Sequence, residues 1–247
     1  MAVGPLKILT WNVWFGAHKF RARQEALLAE ISRRSPDVIL LQEVTRKLLT
    51  AIVDTPWVRA GYQVSDVDGS TFGRYGVLLL SRIPIRRLVM LDLPTEMARC
   101  LLSAELSCGI TVATAHLEST SECTSTRVAQ LGIIQPYLAA SSSDVIFAGD
   151  MNFAPDAAAE NAALDPTFVD VWPALHGDRP GYTVDTNINF MRYVTHGKHS
   201  HKRIDRVFLR SRAWSPRAAT LVGAEPIDEE GTFVSDHFGM EVELAPS

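Results

Sequence analysis

Short, intensely apolar runs with polar borders most narrow what this chain can become. Residues 38–41, 77–80 and 145–148 are each four apolar side chains without interruption. Such runs are far short of the roughly 20 residues that a membrane helix needs. They fit strands covered on both faces, which must be packed under helices or a second sheet. With 247 residues, 47% of them hydrophobic and 21% charged, the chain can bury one sizeable core. A single domain over 1–247 is expected, since neither a linker nor a tandem repeat interrupts the pattern.

Along the chain, alternation over 6–13 reads as a strand. Residues 19–34, with Phe20, Leu27, Leu28 and Ile31 on one face, read as an amphipathic helix ended by Ser35-Pro36. A buried strand follows at 37–42, and Thr45 opens a second helix that Pro56 should terminate. From 61 to 116 the texture changes to a meander of strands at 62–67, 75–81, 85–92, 99–106 and 110–116. Gly69, Gly73, Pro84, Pro94 and Gly109 separate them. A helix at 122–140 and a strand at 144–148 ending in Gly149-Asp150 come next. The last third shows a loop-rich stretch at 152–166, a short helix near 168–175, a loop at 195–202, and strands at 203–209 and 239–244. This order predicts an α/β (α+β) fold, a four-layer sandwich of two packed mixed sheets flanked by helices.

The charge balance, 24 basic against 28 acidic residues, excludes a protein that holds nucleic acid by bulk positive charge. Any polyanion must be gripped locally. Three cysteines without a CxxC pair indicate neither a disulfide framework nor a cysteine zinc site, and fit a reducing compartment. Lys7, Thr10 and Asn12 interrupt the first apolar run, so no signal peptide is expected. The expected location is intracellular, in nucleus or cytoplasm, with no membrane segment.

Function shows where polar residues end apolar strands. Asn12 follows 8–11, Glu43 follows 38–41, His116 closes 110–115, and Asp150 and Asn152 follow 145–148. Taken singly, these are a turn amide, a helix N-terminal acid, a half-buried histidine and a strand-to-turn junction. Taken together, they lie where strand ends converge on one edge of a rigid scaffold. Carboxylate and amide oxygens suit a hard cation such as magnesium, which keeps positions free for substrate phosphate. Histidines suit phosphoryl oxygens. In Ser235-Asp236-His237, extended backbone would point Asp236 and His237 to opposite sides, so His237 needs an orienting carboxylate from elsewhere, and Asp205 is the candidate. The cluster Lys198, Lys202, Arg203 and Arg206, with His196, His199 and His201 interleaved, reads as a solvated loop, a DNA-facing loop or a histidine zinc site.

Five strings in this order, Thr10-Trp11-Asn12, Leu41-Gln42-Glu43-Val44, His116-Leu117-Glu118-Ser119-Thr120, Gly149-Asp150-Met151-Asn152 and Ser235-Asp236-His237, resemble the endonuclease/exonuclease/phosphatase superfamily over nearly the whole chain. The resemblance implies a DNase I-like sandwich. Val169-Asp170-Val171-Trp172, Tyr182-Thr183 and Arg203-Ile204-Asp205-Arg206-Val207-Phe208 are similar to the branch acting on 5′-tyrosyl DNA. Val184 departs from that branch, where a tryptophan is expected, as do Phe153-Ala154 and Ser121, where basic residues are expected.

The resemblance implies a magnesium-dependent phosphodiesterase, with manganese as a possible substitute metal. It would cut the bond between DNA and a trapped topoisomerase tyrosine during DNA repair, leaving a 5′-phosphate. Its partners would be DNA 5′ ends carrying tyrosyl or peptide adducts, and the chain would be a monomer. Glu43 and Asn12 would serve the metal. Asp150 would activate water with Asn152 as second partner, and His116 and His237 would stabilise the transition state, with Asp205 and Asp236 favouring charged His237. Arg99 and Arg127 would contact phosphates, Ser119 and Arg203 the DNA, and Tyr182 with Phe190 would form a platform for the terminal base. Other members of the superfamily are the second reading, as an abasic-site endonuclease or exonuclease or a phosphatase on small or lipid phosphates. A non-catalytic binding module is the third.

Overall fold

The computed structural model describes residues 4–247, the side chain of His196 excepted. The chain opens with β1 (Leu6–Asn12), α1 (Phe20–Arg34), β2 (Val38–Val44), α2 (Arg46–Asp54), α3 (Pro56–Gly61), β3 (Gln63–Val64) and β4 (Gly76–Ser81). It continues through β5 (Ile85–Asp92), β6 (Cys100–Leu106), β7 (Thr111–His116), α4 (Thr124–Ser141) and β8 (Val145–Asp150). Then come α5 (Ala158–Ala162), β9 (Val169–Asp170), α6 (Val171–His176), β10 (Val184–Asp185), α7 (Met191–His196) and β11 (His201–Lys202). The chain closes with β12 (Asp205–Arg210), β13 (Trp214–Val222) and β14 (Gly239–Pro246).

Two six-stranded mixed sheets result, in the orders β13-β14-β1-β2-β4-β3 and β5-β6-β7-β8-β12-β9, beside a small β10-β11 ribbon. Strand parity decides the layers, because successive side chains point to opposite faces. Leu6 and Ile8, Val38 and Leu40, Val112, Ile146 and Ala148, and Val207 and Leu209 meet between the sheets. Their neighbours Leu9 and Trp11, and Ile39 and Leu41, face outward beneath α1 and α2. Val145 and Phe147 likewise face outward beneath α4. This is the expected four-layer sandwich.

Local chemistry sets the helix ends. The Thr45 side chain accepts from Leu48 N at 3.2 Å and caps α2. Pro56 ends that helix as expected, since it keeps Thr55 extended and α2 stops at Asp54; it then opens α3 in the first turn, where its missing N–H costs nothing. The expected meander is also divided. β3 and β4 join the first sheet, β4 pairing with β2, while β5, β6 and β7 run on in the second. Residues 214–222 were not expected to form a strand. Pro216 and a register shift before Ala218 break their alternation, and both are tolerated because β13 is an edge strand.

Candidate active site

Topology brings the polar strand ends together. β1 runs parallel to β2 and β7 parallel to β8, so all four finish at one edge of the sandwich. β14 and β12 run antiparallel to their neighbours, so Asp236-His237 and Asp205 begin at that same edge. His116 pairs with Asp150, and Asp150 with Asp205, so three functional side chains stand abreast on adjacent strands. Asn12, His116, Asp150 and Asp205 share the parity of the residues that face the space between the sheets.

Glu43 has the wrong parity. The register of β2 against β4 shifts between Leu41 and Val44, and Glu43 takes a left-handed φ of 62°. That turn brings its carboxylate into the same site, at a backbone cost of about 1–2 kcal/mol. Phe15 N donates to Glu43 Oε2 at 3.0 Å, while Asn12 Nδ2 donates to both Glu43 Oε1 at 3.1 Å and Asp150 Oδ2 at 2.8 Å. Trp14 N fixes the amide by donating to Asn12 Oδ1 at 3.0 Å. Asn12 therefore presents a donor, not an oxygen, to the carboxylates. Its oxygen, expected to serve the metal, accepts from Trp14 N.

The two histidines differ. His116 Nδ1 lies 3.0 Å from Arg99 Nη1, which can only donate, so the ring proton belongs on Nε2, 3.4 Å from Asp150 Oδ2. Burial, then Arg99, then His237 hold His116 well below the usual imidazole range. It is a neutral donor. His237 Nδ1 contacts Asp205 Oδ2 at 2.8 Å. Burial opposes its charge, but Asp205, Asp236 and Asp150 prevail and raise its pKa to about 9. Asp236 reaches the other side of this ring with its Oδ1 4.0 Å from Nε2, and Arg192 Nη1 lies 2.8 Å from Asp236 Oδ2 and 2.9 Å from His237 Nε2. Because Arg192 can only donate, Nε2 accepts in this arrangement, and the ring takes its second proton only when Arg192 turns wholly to Asp236. Arg192 carried no signal in the sequence, because nothing places α7 over the last strand until the chain folds.

Acid density suits a cation. Burial and Asp236 raise the Glu43 pKa, and burial and Asp205 raise Asp150 to about 6. Asp205 Oδ1 is buried without a hydrogen-bond partner. Ligand atoms of Asp150, Asp205 and His237 lie within 4.8 Å of one another. However, both ring nitrogens of His237 are engaged, Nδ1 with Asp205 and Nε2 with Arg192, which leaves no lone pair for a metal. The hard oxygens of Glu43, only partly buried, fit a divalent cation better than the fully buried triad does.

Asn152, at φ 53°, donates its backbone N–H to Asp150 Oδ1 at 3.0 Å and its amide to Leu117 O at 3.0 Å. Ser119 accepts from Arg99 at 2.8 Å. The guanidinium groups of Arg99 and Arg127, expected to contact phosphates, are engaged inside the protein, although Arg127 and Arg203 both line a cleft of about 940 Å³. Arg99 is buried against His116 and Ser119, and Arg127 is buried on Glu160, Glu118 O and Thr120 O. Arg203 likewise is buried with both oxygens of Asp170 on its Nη1, and Arg206 shares that acid, so the expected basic loop loses both. His199 and His201 bond to Thr186 and Asp185, respectively, instead of sharing a metal, and the His196 side chain lies outside the described part. Tyr182 and Phe190 line separate clefts, so they do not make the one platform expected.

A profile of the Endonuclease/Exonuclease/phosphatase family matches residues 9–237. Tyrosyl-DNA phosphodiesterase 2 of Danio rerio is 31% identical over 249 residues, 95% of this chain and 65% of the relative. Its Mus musculus counterpart is 30% identical over 248 residues, with the same coverages. The chain thus spans 65% of the length of these relatives. The crystal structure of D. rerio TDP2 complexed with single strand DNA product superposes with a TM-score of 0.86 at 27% identity, covering 97% of this chain and 98% of that one. The human Nocturnin catalytic domain with bound sulfate shares the fold, with a TM-score of 0.71 at 19% identity over 99% and 94% of the two chains.

Proposed function

The chain belongs to the endonuclease/exonuclease/phosphatase family, and on that footing we propose that it hydrolyses the bond between a DNA 5′-phosphate and a tyrosine, releasing the tyrosine and leaving a 5′-phosphate. The observation that carries this reading is Asn12 Nδ2, which joins the Glu43 and Asp150 carboxylates at 3.1 and 2.8 Å in one site. The names of the relatives and the DNA product in the solved D. rerio structure support the choice of substrate.

A magnesium ion, or manganese in its place, would be held by Glu43 and would polarise a phosphoryl oxygen. Asp150 accepts the proton of the attacking water, and the Asn152 N–H on its Oδ1 keeps the other oxygen aimed inward. Water oxygen bonds to phosphorus as the phosphorus–phenol bond breaks. The neutral Nε2–H of His116 donates to a nonbridging oxygen as negative charge grows there, and His237, protonated on Nε2 once Arg192 turns wholly to Asp236, donates to another. Asp205 orients His237 through Nδ1, and Asp236, beside Nε2, favours the charged ring and holds Arg192. Tyrosine leaves as a phenolate with a pKa near 10, so no strong general acid is needed, and it takes its proton from solvent. Arg99 acts through His116 and touches no substrate.

The deciding experiment is release of tyrosine from a 5′-tyrosyl oligonucleotide. EDTA should abolish it, and Asp150→Asn should reduce it by on the order of a thousandfold or more. Turnover that survives both treatments overturns the mechanism. Faster turnover of abasic duplex or inositol phosphate than of the tyrosyl substrate would assign the same chemistry to a different member of the family.

A further inference from the structure

A cleft of about 690 Å³ opens between α7 and residues 224–233. Met191, Phe233 and Phe238 form an apolar cluster against which Trp14 and Ala224 pack. At its mouth Ile188, Phe190 and Val194 are 53%, 52% and 72% exposed, an apolar surface that nothing in the catalytic chemistry uses. Helical spacing gives the cleft Met191, Val194 and Thr195 on one face of α7.

Two contacts join this cleft to the site. The backbone of Trp14, in its wall, donates to Asn12 Oδ1, and Arg192, next in sequence to Met191, holds Asp236 and His237. The indole is fixed in place. Trp14 has a φ of 54°, its ring carries the Arg23 guanidinium 4.3 Å from its centroid, and it fills the space a Cβ on Gly16 would need. Such a prepared wall suits a recurring ligand.

The charge of the cleft selects among ligands. None of its described lining residues is Lys or Arg, while Glu225 and Glu230 are acidic; among the described residues beside them, Lys19 alone offsets both Glu230 and Asp228, at 2.7 and 2.8 Å. A phosphate backbone is therefore disfavoured, and an apolar or basic peptide is favoured. The larger cleft, about 940 Å³, instead offers Arg179 and Lys202 alongside its acids and opens at Asn152. In an in-line displacement, water and leaving group lie on opposite sides of phosphorus. Asn152 shares the water-activating side with Asp150, whereas Trp14 stands beside Phe15, whose N–H holds Glu43.

We propose that the cleft of Trp14, Met191, Val194 and Phe233 receives the leaving peptide, the apolar or basic residues that flank the tyrosine. This rests on the phosphodiesterase reading above for its chemistry, but the binding can be read alone. One oligonucleotide is prepared with 5′-tyrosine amide and with a 5′-tyrosyl peptide carrying leucine and lysine neighbours. Binding of the free fluorescent peptide is followed by anisotropy.

The native chain should prefer the peptide adduct. Val194→Glu and Ile188→Glu, both at exposed positions, should each cut the peptide-to-amide ratio of kcat/KM roughly tenfold and weaken free peptide binding by a similar factor. A ratio unchanged in both variants overturns the proposal, as does displacement of the peptide by a 5′-phosphorylated oligonucleotide. If neither substrate is turned over, the phosphodiesterase reading fails, and peptide binding alone decides. Loss in both variants supports the cleft, and binding indifferent to them refutes it.

Discussion

Asp205 couples the two titrating groups of the proposed mechanism, because it faces His237 and stands beside Asp150 in register. Its negative charge helps to raise both neighbours, Asp150 to about 6 and His237 to about 9, although burial raises the first and opposes the second. In the proposed mechanism Asp150 works ionised, so activity should fall as pH drops through about 6, and His237 works charged, so activity should fall as pH rises through about 9. kcat against pH should therefore be a bell. Asp205→Asn removes the charge that lifts both groups, so both limbs should move to lower pH. Limbs that stay put in this variant would show that Asp205 does not set either titration. Arg99 works in the opposite sense on His116, second only to burial. Arg99→Met should raise the His116 pKa, which imidazole NMR titration would read directly.

At the scale of elements, the loop after β1 and the strand β8 are held by unlike devices. Arg23 of α1 donates to the carbonyls of Val13, Trp14, Gly16, His18 and Val234, tying the loop that carries Phe15 to the segment before Asp236. It has five carbonyls and no paired carboxylate. Burial pulls its pKa to about 10, so it remains charged at neutral pH. Arg23→Met would strand those carbonyls and should cost about 2–3 kcal/mol, seen as a lower urea midpoint. The Phe15 N–H would also lose its fixed aim on Glu43, so activity should fall further than unfolding explains. β8 depends on Gly149, with φ 146°, where a Cβ would lie 2.1 Å from Ala115 O of the neighbouring strand. Gly149→Ala should destabilise the chain by about 3 kcal/mol. A variant with native stability and activity would show that β7 and β8 can part without loss.

Across the whole molecule, the two sheets are clamped beneath the site by one amide. Gln42 Nε2 of β2 donates to Thr10 Oγ1 of β1 at 3.1 Å and to Thr114 Oγ1 of β7 at 3.0 Å, spanning the sandwich. Because Glu43 follows Gln42, the clamp sets the distance between the first sheet's acid and the second sheet's base. Gln42→Leu should lower kcat more than it raises KM for the tyrosyl oligonucleotide. An effect on KM alone would remove this positioning role. With a net charge of −4, the proposed DNA substrate would have to be held locally. Arg179 and Lys202 line the larger cleft. Arg179→Glu with Lys202→Glu should weaken oligonucleotide binding and flatten its salt dependence, and an unchanged salt slope would place the DNA elsewhere. No helix among the described residues is long and apolar enough to cross a membrane.

The sequence by itself determined the layers and the set of polar strand ends. Parity and apolar run length are local properties, so 38–41 and 145–148 announced strands covered on both faces, and Asn12, His116 and Asp150 were legible as their terminal residues. The pairing of His237 with Asp205 was legible too, from the need of a histidine for an orienting acid. Tertiary structure alone decided the rest. Glu43 reaches the site only through a left-handed residue at a bulge, and Arg192 reaches His237 only when α7 folds across the final strand. Arg99, Arg127 and Arg203 looked like surface cations, yet each found buried partners that sequence distance conceals. A strand's period is written along the chain, whereas a side chain's partner depends on which distant segments the packing of two sheets brings within hydrogen-bond reach.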